Sequence, residues 1–292
     1  MDIDRRSLMK GMLAGSALLA LGVPPWTFAE SAGGRPKRCM LWLGGTCVDD
    51  KIANGAEAAC KAATRGDLQV VRQKGGLLNG TDEVVRLLEQ SQGARCIAVM
   101  DDASAAIFRE LIRTAGEHVI SIGTHACSPE SVWPHRHVWT TTSQACGMGG
   151  LLASRYSQGQ ETFLITERFL QAPSETHPLK SWSGPGFSSY RSDEGRAIHL
   201  HCSGISAPNG GWALGLSTSE KWMPMPSQAN EPDCVPWQSE NWAESVGYVV
   251  TALTLGGDVV QESCSNRAFI QQSQTPKRDL QTERFVSFVL DL

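Results

Sequence analysis

Between residues 38 and 122 the chain alternates short apolar runs with longer amphipathic stretches, and this rhythm restricts the fold more than any other feature. Residues 38–43 (Arg-Cys-Met-Leu-Trp-Leu) form an apolar run closed by Gly44-Gly45, the pattern of a buried strand. Residues 48–65 read as a helix stopped by Gly66, and 68–72 as a second strand. Thr81 is expected to cap a helix that runs to Gln92, with Val84, Val85, Leu87 and Leu88 as its apolar stripe and Gly93 as its stop. Residues 96–100 are a third strand ending at Asp101-Asp102. Residues 103–115 are a third helix with Gly116 as C-cap, and 118–122 a fourth strand. Strands separated by helices of this length predict βαβ units, right-handed crossovers and a mostly parallel sheet. The expected class is α/β, Rossmann-like or periplasmic-binding-like.

Beyond this stretch the pattern loosens. Residues 138–141 and 162–166 read as further strands, with a helix over 143–156 between them. Residues 171–197 and 223–238 are rich in Pro, Ser and Gly and read as loops. Residues 197–202 and 212–216 are expected to pair as a hairpin about Pro208-Asn209-Gly210. A clear helix spans 242–255, stopped by Gly256-Gly257, and 284–290 end the chain as an apolar strand. The expected organisation is an α/β domain over 38–166 and a loop-rich half, 167–292, that either completes it or forms a second lobe.

The N-terminus carries a different signal. Asp4-Arg5-Arg6-Ser7-Leu8-Met9-Lys10 resembles the twin-arginine motif of Tat export signals. A weakly apolar run over 12–23 follows. It is shorter than the roughly 20 residues that span a bilayer. Thr27-Phe28-Ala29 supplies small residues for a cut after Ala29. Residues 1–29 are therefore expected to be a signal with Arg5 and Arg6 as its recognition pair, and 30–37 a linker. The resemblance implies the Tat translocase as a partner and the periplasm as destination, with membrane anchoring if the signal stays uncut. Tat carries folded cargo, which raises the prospect of a metal, a redox cofactor or an accompanying subunit. A net charge of −4 offers no basic field for nucleic acid. Nine cysteines suit an oxidising compartment, where one to three disulfides are expected beside buried thiols. No C-x-x-C occurs, which removes thioredoxin-like, zinc-ribbon and c-type haem readings.

Ligands of open parallel sheets bind beyond the carboxyl ends of the strands. That rule selects Gly44, Gly45, Thr46 and Cys47 after the first strand, and Gln73 and Lys74 after the second. Asp101 and Asp102 follow the third, Thr124, His125 and Cys127 the fourth, and Thr142 and Ser143 the fifth. Thr46, Lys74, Asp101, Asp102, Thr124 and Ser143 are the expected ligand-binding set for a small polar molecule, although Asp102 or Ser104 can equally cap the third helix. His125, His135 and His137 lie close in sequence, and His199 and His201 alternate so that both face one side of a strand. With Cys127 and Cys202 beside them, these histidines would suit zinc or copper if the two segments meet.

Residues 38–158 resemble the opening of type 1 periplasmic binding proteins. The likeness rests on Leu68-Gln-Val-Val-Arg, Arg95-Cys-Ile-Ala-Val-Met-Asp-Asp, His118-Val-Ile-Ser-Ile-Gly, His137-Val-Trp-Thr-Thr-Thr and the helical Gly149-Gly150. It implies an exported ligand-binding or accessory protein, such as one serving a periplasmic redox enzyme. Two alternatives stay open: a metal-dependent enzyme or oxidoreductase built on the His/Cys set, and an escort subunit exported with a partner.

Overall fold

The computed structural model describes residues 38–63, 68–73, 77, 80–131, 133–141, 148–157, 162–169, 186–192, 198–216, 221–225, 241–255, 265–272 and 282–292. The expected signal, with Arg5, Arg6 and Ala29, lies outside them, as do Lys74, Thr142 and Ser143.

The fold is mixed α/β. Its strands are β1 (Cys39–Leu43), β2 (Leu68–Arg72), β3 (Arg95–Met100), β4 (His118–Cys127), β5 (His135–Thr141), β6 (Thr162–Phe169), β7 (Ser188–Ser192), β8 (Ile198–Ser203), β9 (Trp222–Pro224), β10 (Ser265–Gln272) and β11 (Glu283–Asp291). Its helices are α1 (Asp49–Ala62), α2 (Thr81–Gln90), α3 (Asp102–Ala115), α4 (Met148–Ser157), α5 (Ala207–Ala213) and α6 (Trp242–Leu255). The strands form one sheet in the order β2-β1-β3-β11-β4-β5-β10-β6-β8-β7-β9.

The parallel expectation holds only at one end. β1 pairs with β2 and β3 in parallel, and every other pairing among the described residues is antiparallel. β4 points the same way as β1–β3, but the last strand, β11, is inserted between β3 and β4 and opposes both. Arg95 locks that insertion: its guanidinium donates to both oxygens of its register partner Asp291 at 2.6 and 3.0 Å, and to Thr254 O at 3.1 Å. From β4 the chain returns directly into β5, because residues 128–134 are too few for the crossover that a parallel neighbour needs.

Several boundaries move for the same reason. β4 runs on to Cys127 and β5 starts at His135, since each strand completes the other's ladder. The expected hairpin around Pro208 is instead the short helix α5, with Pro208 in its first turn, where a missing N–H costs nothing. β7, β9 and β10 lie outside every strand expected from sequence.

Helices cover both faces. On one, α1, α4 and α6 bury Leu41, Leu43, Ile52, Phe163, Val249 and Phe285. α1 and α6 cross backbone to backbone: a Cβ on Gly55 would strike Glu244 O, and one on Gly247 would strike Ile52 O. On the other face α2 and α3 close an apolar core of Met40, Trp42, Leu88, Phe108 and Phe288, with Phe108 edge-on to Trp42 and Phe288. α5 caps the far end of that face over Leu164 and Leu200.

Candidate functional site

The carboxyl ends of β1–β4 and the amino end of β11 meet along one crest of the sheet. The strand order changes direction at β1, whose two parallel neighbours lie on opposite sides, which is where open α/β sheets place a ligand crevice. Gly44 closes against β3 there, its N–H donating to Val99 O at 2.7 Å. A Cβ at Gly44 would lie 2.8 Å from the Met100 Cβ, so only glycine fits.

The turn that follows is held by an acid that sequence reasoning passed over. Asp49 accepts from Gly45 N at 3.0 Å, from Thr46 N at 3.1 Å and from Thr46 Oγ1. Thr46 thus spends its hydroxyl on the turn. Asp101 likewise serves the fold. It is the N-cap of α3, accepting from Ala103 N and Ser104 N at 2.9 Å and from Ser104 Oγ at 2.7 Å. Burial pushes its carboxyl up, but those bonds outweigh it and hold the group below its ordinary value. Asp102 pairs with Arg284 at 2.7 Å, with both side chains nearly half exposed. Thr124 stands inside β4, not in a loop after it, and so does not reach the crest. Of the ligand-binding set expected from sequence, Thr46, Asp101 and Asp102 come to the crest, and all three have structural partners.

One other crest residue behaves differently. Gln73 follows β2 and extends its ladder, donating from its backbone to Leu43 O at 2.9 Å. The residue is only 5% exposed, yet neither the amide oxygen nor the nitrogen of its side chain has a hydrogen-bond partner. An unsatisfied buried amide costs about 1–3 kcal/mol, so its presence calls for an explanation.

The histidines gather on the face covered by α4 and α6. His125 and His137 are directly opposed across β4 and β5, with Nδ1 atoms 3.1 Å apart. His125 Nε2 lies 2.8 Å from Ser287 Oγ, and His137 Nε2 lies 2.8 Å from the Tyr156 hydroxyl. The row Ser287–His125–His137–Tyr156 is satisfied with both rings neutral, each with one N–H, and it can run in either direction. Burial pushes His125 down to about 3. Burial, then the neighbouring His125 and His135, push His137 well below the usual imidazole range. Protonation of both rings would set two Nδ1–H groups face to face. His135 stacks on Trp242 at the end of the same face.

His201 and His199 lie farther along, on β8. His201 Nδ1 sits 2.7 Å from Ser189 Oγ, and its Nε2 is 3.5 Å from Glu167 Oε2, which is 3.9 Å from His199 Nδ1. The other Glu167 oxygen accepts from Gly149 N at 2.7 Å, fixing the start of α4 to the sheet. The two histidine groups share a face, but β10 and β6 separate their strands. Among the described residues no three His, Cys, Asp or Glu side chains are placed to hold a metal ion. Cys202 packs on the opposite face with Leu164 and Leu200, away from His201.

The expected disulfides are not present among the described residues, where Cys39, Cys47, Cys60, Cys96, Cys127 and Cys202 are thiols. Cys146, Cys234 and Cys264 lie outside those residues. Sequence reasoning also missed Tyr156, Glu167, Ser189, Glu283 and Ser287. The acidic pair Asp49-Asp50 at a helix start was the readable signal for Asp49, and the others had none. No protein-family model, curated protein or solved structure matches the chain.

Proposed function

We propose that this is an exported binding protein that holds a small polar ligand at the crest without transforming it. The observation that carries this reading is Gln73. It is a donor and acceptor pair, buried and without a partner, at the carboxyl ends of strands whose order changes direction beside it. Among the described residues the crest carboxylates Asp49, Asp101 and Asp102 are engaged in turn formation, capping and an ion pair, whereas the buried Gln73 amide has no partner and is the group we assign to recognise a ligand. Export rests on the twin-arginine resemblance, and service to a periplasmic redox enzyme remains part of this proposal.

Native mass spectrometry of protein taken from its own host, with Gln73→Leu alongside, tests the reading. The wild type should carry an organic adduct that the variant lacks. The variant should melt at a temperature equal to or above the wild type, because leucine removes an unsatisfied amide at similar volume. A bare wild type, or an adduct kept by Gln73→Leu, overturns the assignment.

The row Ser189–His201–Glu167 favours a second reading, an enzyme using histidine chemistry. All three side chains are almost fully enclosed, and Glu167 already serves α4. That makes the row a fastening between helix and sheet ahead of a reaction centre.

A further inference from the structure

We propose that Cys47 and Cys127 form a thiol–disulfide couple at the crest. They are far apart in sequence, and the fold brings them to one carboxylate. In the β4–β11 ladder Cys127 is directly opposite Glu283. Side chains so opposed share a face, with Cβ atoms about 5 Å apart. The same carboxylate reaches back to the first turn: Cys47 Sγ lies 3.9 Å from Glu283 Oε1, and Lys51 Nζ lies 3.5 Å from that oxygen. Glu283 therefore borders both thiols, with Lys51 of α1 and His135 of β5 around them.

The two thiols are unequal in the way an exchange couple needs. Cys47 is exposed on the turn after β1, where an external disulfide can reach it. Cys127 is fully buried, where only a neighbouring sulfur can reach it. Burial pushes the Cys127 thiol up to about 11, the Glu283 charge adds to this and Lys51 opposes it, so the buried thiol reacts second and slowly. Oxidised glutathione serves as the acceptor. Cys47, as thiolate, attacks one glutathione sulfur; a protein–glutathione disulfide forms and one glutathione leaves and takes up a proton. Cys127 then loses its proton and attacks the Cys47 sulfur, forming the internal disulfide and releasing the second glutathione. Two protein thiols are oxidised and one glutathione disulfide is reduced to two thiols. The couple does not depend on the ligand reading of Gln73.

The test treats the full chain with oxidised glutathione and follows intact mass with time, then maps peptides without reductant. Wild type should gain one glutathione transiently and lose it as a Cys47–Cys127 peptide appears. Cys127→Ser should keep its glutathione at Cys47 at least tenfold longer. Cys47→Ser should give neither the adduct nor the link. Equal adduct lifetimes in wild type and Cys127→Ser, or a wild-type map without the linked peptide, overturn the couple. If Cys127→Ser does not fold, the wild-type map decides alone.

Discussion

The two faces of the sheet solve burial differently. Beneath α2 and α3 the core is apolar, with Trp42, Phe108 and Phe288 in edge-on contact. Beneath α4 and α6 the core carries five of the chain's seven histidines, together with Glu167, Ser189, Ser287 and Tyr156. The first face gains stability from area removed from water and tolerates any pH. The second gains it from hydrogen bonds among buried polar groups, and burial holds its His125 and His137 pair below the usual imidazole range. The polar face should therefore decide when the fold fails, and the apolar face how much margin it has.

Three measurements test this contrast. The largest effect belongs to the apolar face. Phe108→Ala should cost about 3–5 kcal/mol, as for other fully buried aromatics, and chemical denaturation should return the same loss at pH 7.5 and at pH 5. A loss that shrinks or grows between those pH values would show that the two faces are not independent. Acid titration of the wild type comes next. His125 and His137 are held below their unfolded value near 6.5, so the unfolded chain binds protons that the native one refuses. Their contribution is complete above about pH 6.5 and drains away as pH falls toward about 3, where native His125 takes its proton. A loss on the order of a few kcal/mol by pH 4 is expected. A denaturation midpoint that stays level from pH 7 to pH 4.5 would contradict the neutral histidine row. The smallest effect is at the crest. Asp101→Ala removes the cap of α3 and should cost about 1 kcal/mol, with ligand affinity at Gln73 unchanged. A lost ligand in a folded Asp101→Ala protein would restore Asp101 to the binding set.

How much was legible follows the same division. β1, β2, β3 and the helices between them were readable because each strand is an apolar run closed by a glycine or a polar pair, and each helix carries its own stripe. That information is local. The antiparallel stretch was not readable in this way. β7 lies within a segment whose Ser, Pro and Gly read as loop, and Pro208-Asn209-Gly210 carries the letters of a turn but starts a helix. Its strands are held by neighbours distant in the chain, so pairing and not propensity makes them.

For the candidate site, sequence alone determined which chemistry the chain owns and its local phase: thiols, histidines at spacing two, and polar residues after apolar strands. The period of a strand is enough to put His135 with His137, and His199 with His201, on one side. Tertiary structure decided what those groups meet. It inserted β11 between β3 and β4, which brought Glu283 beside Cys47 and Cys127 and Ser287 beside His125. It set two strands between the histidine groups, and it assigned Asp101 to a helix end and left Gln73 without a partner. The physical reason is that strand order is chosen by burial summed over the whole sheet, and no segment carries that sum in its own letters.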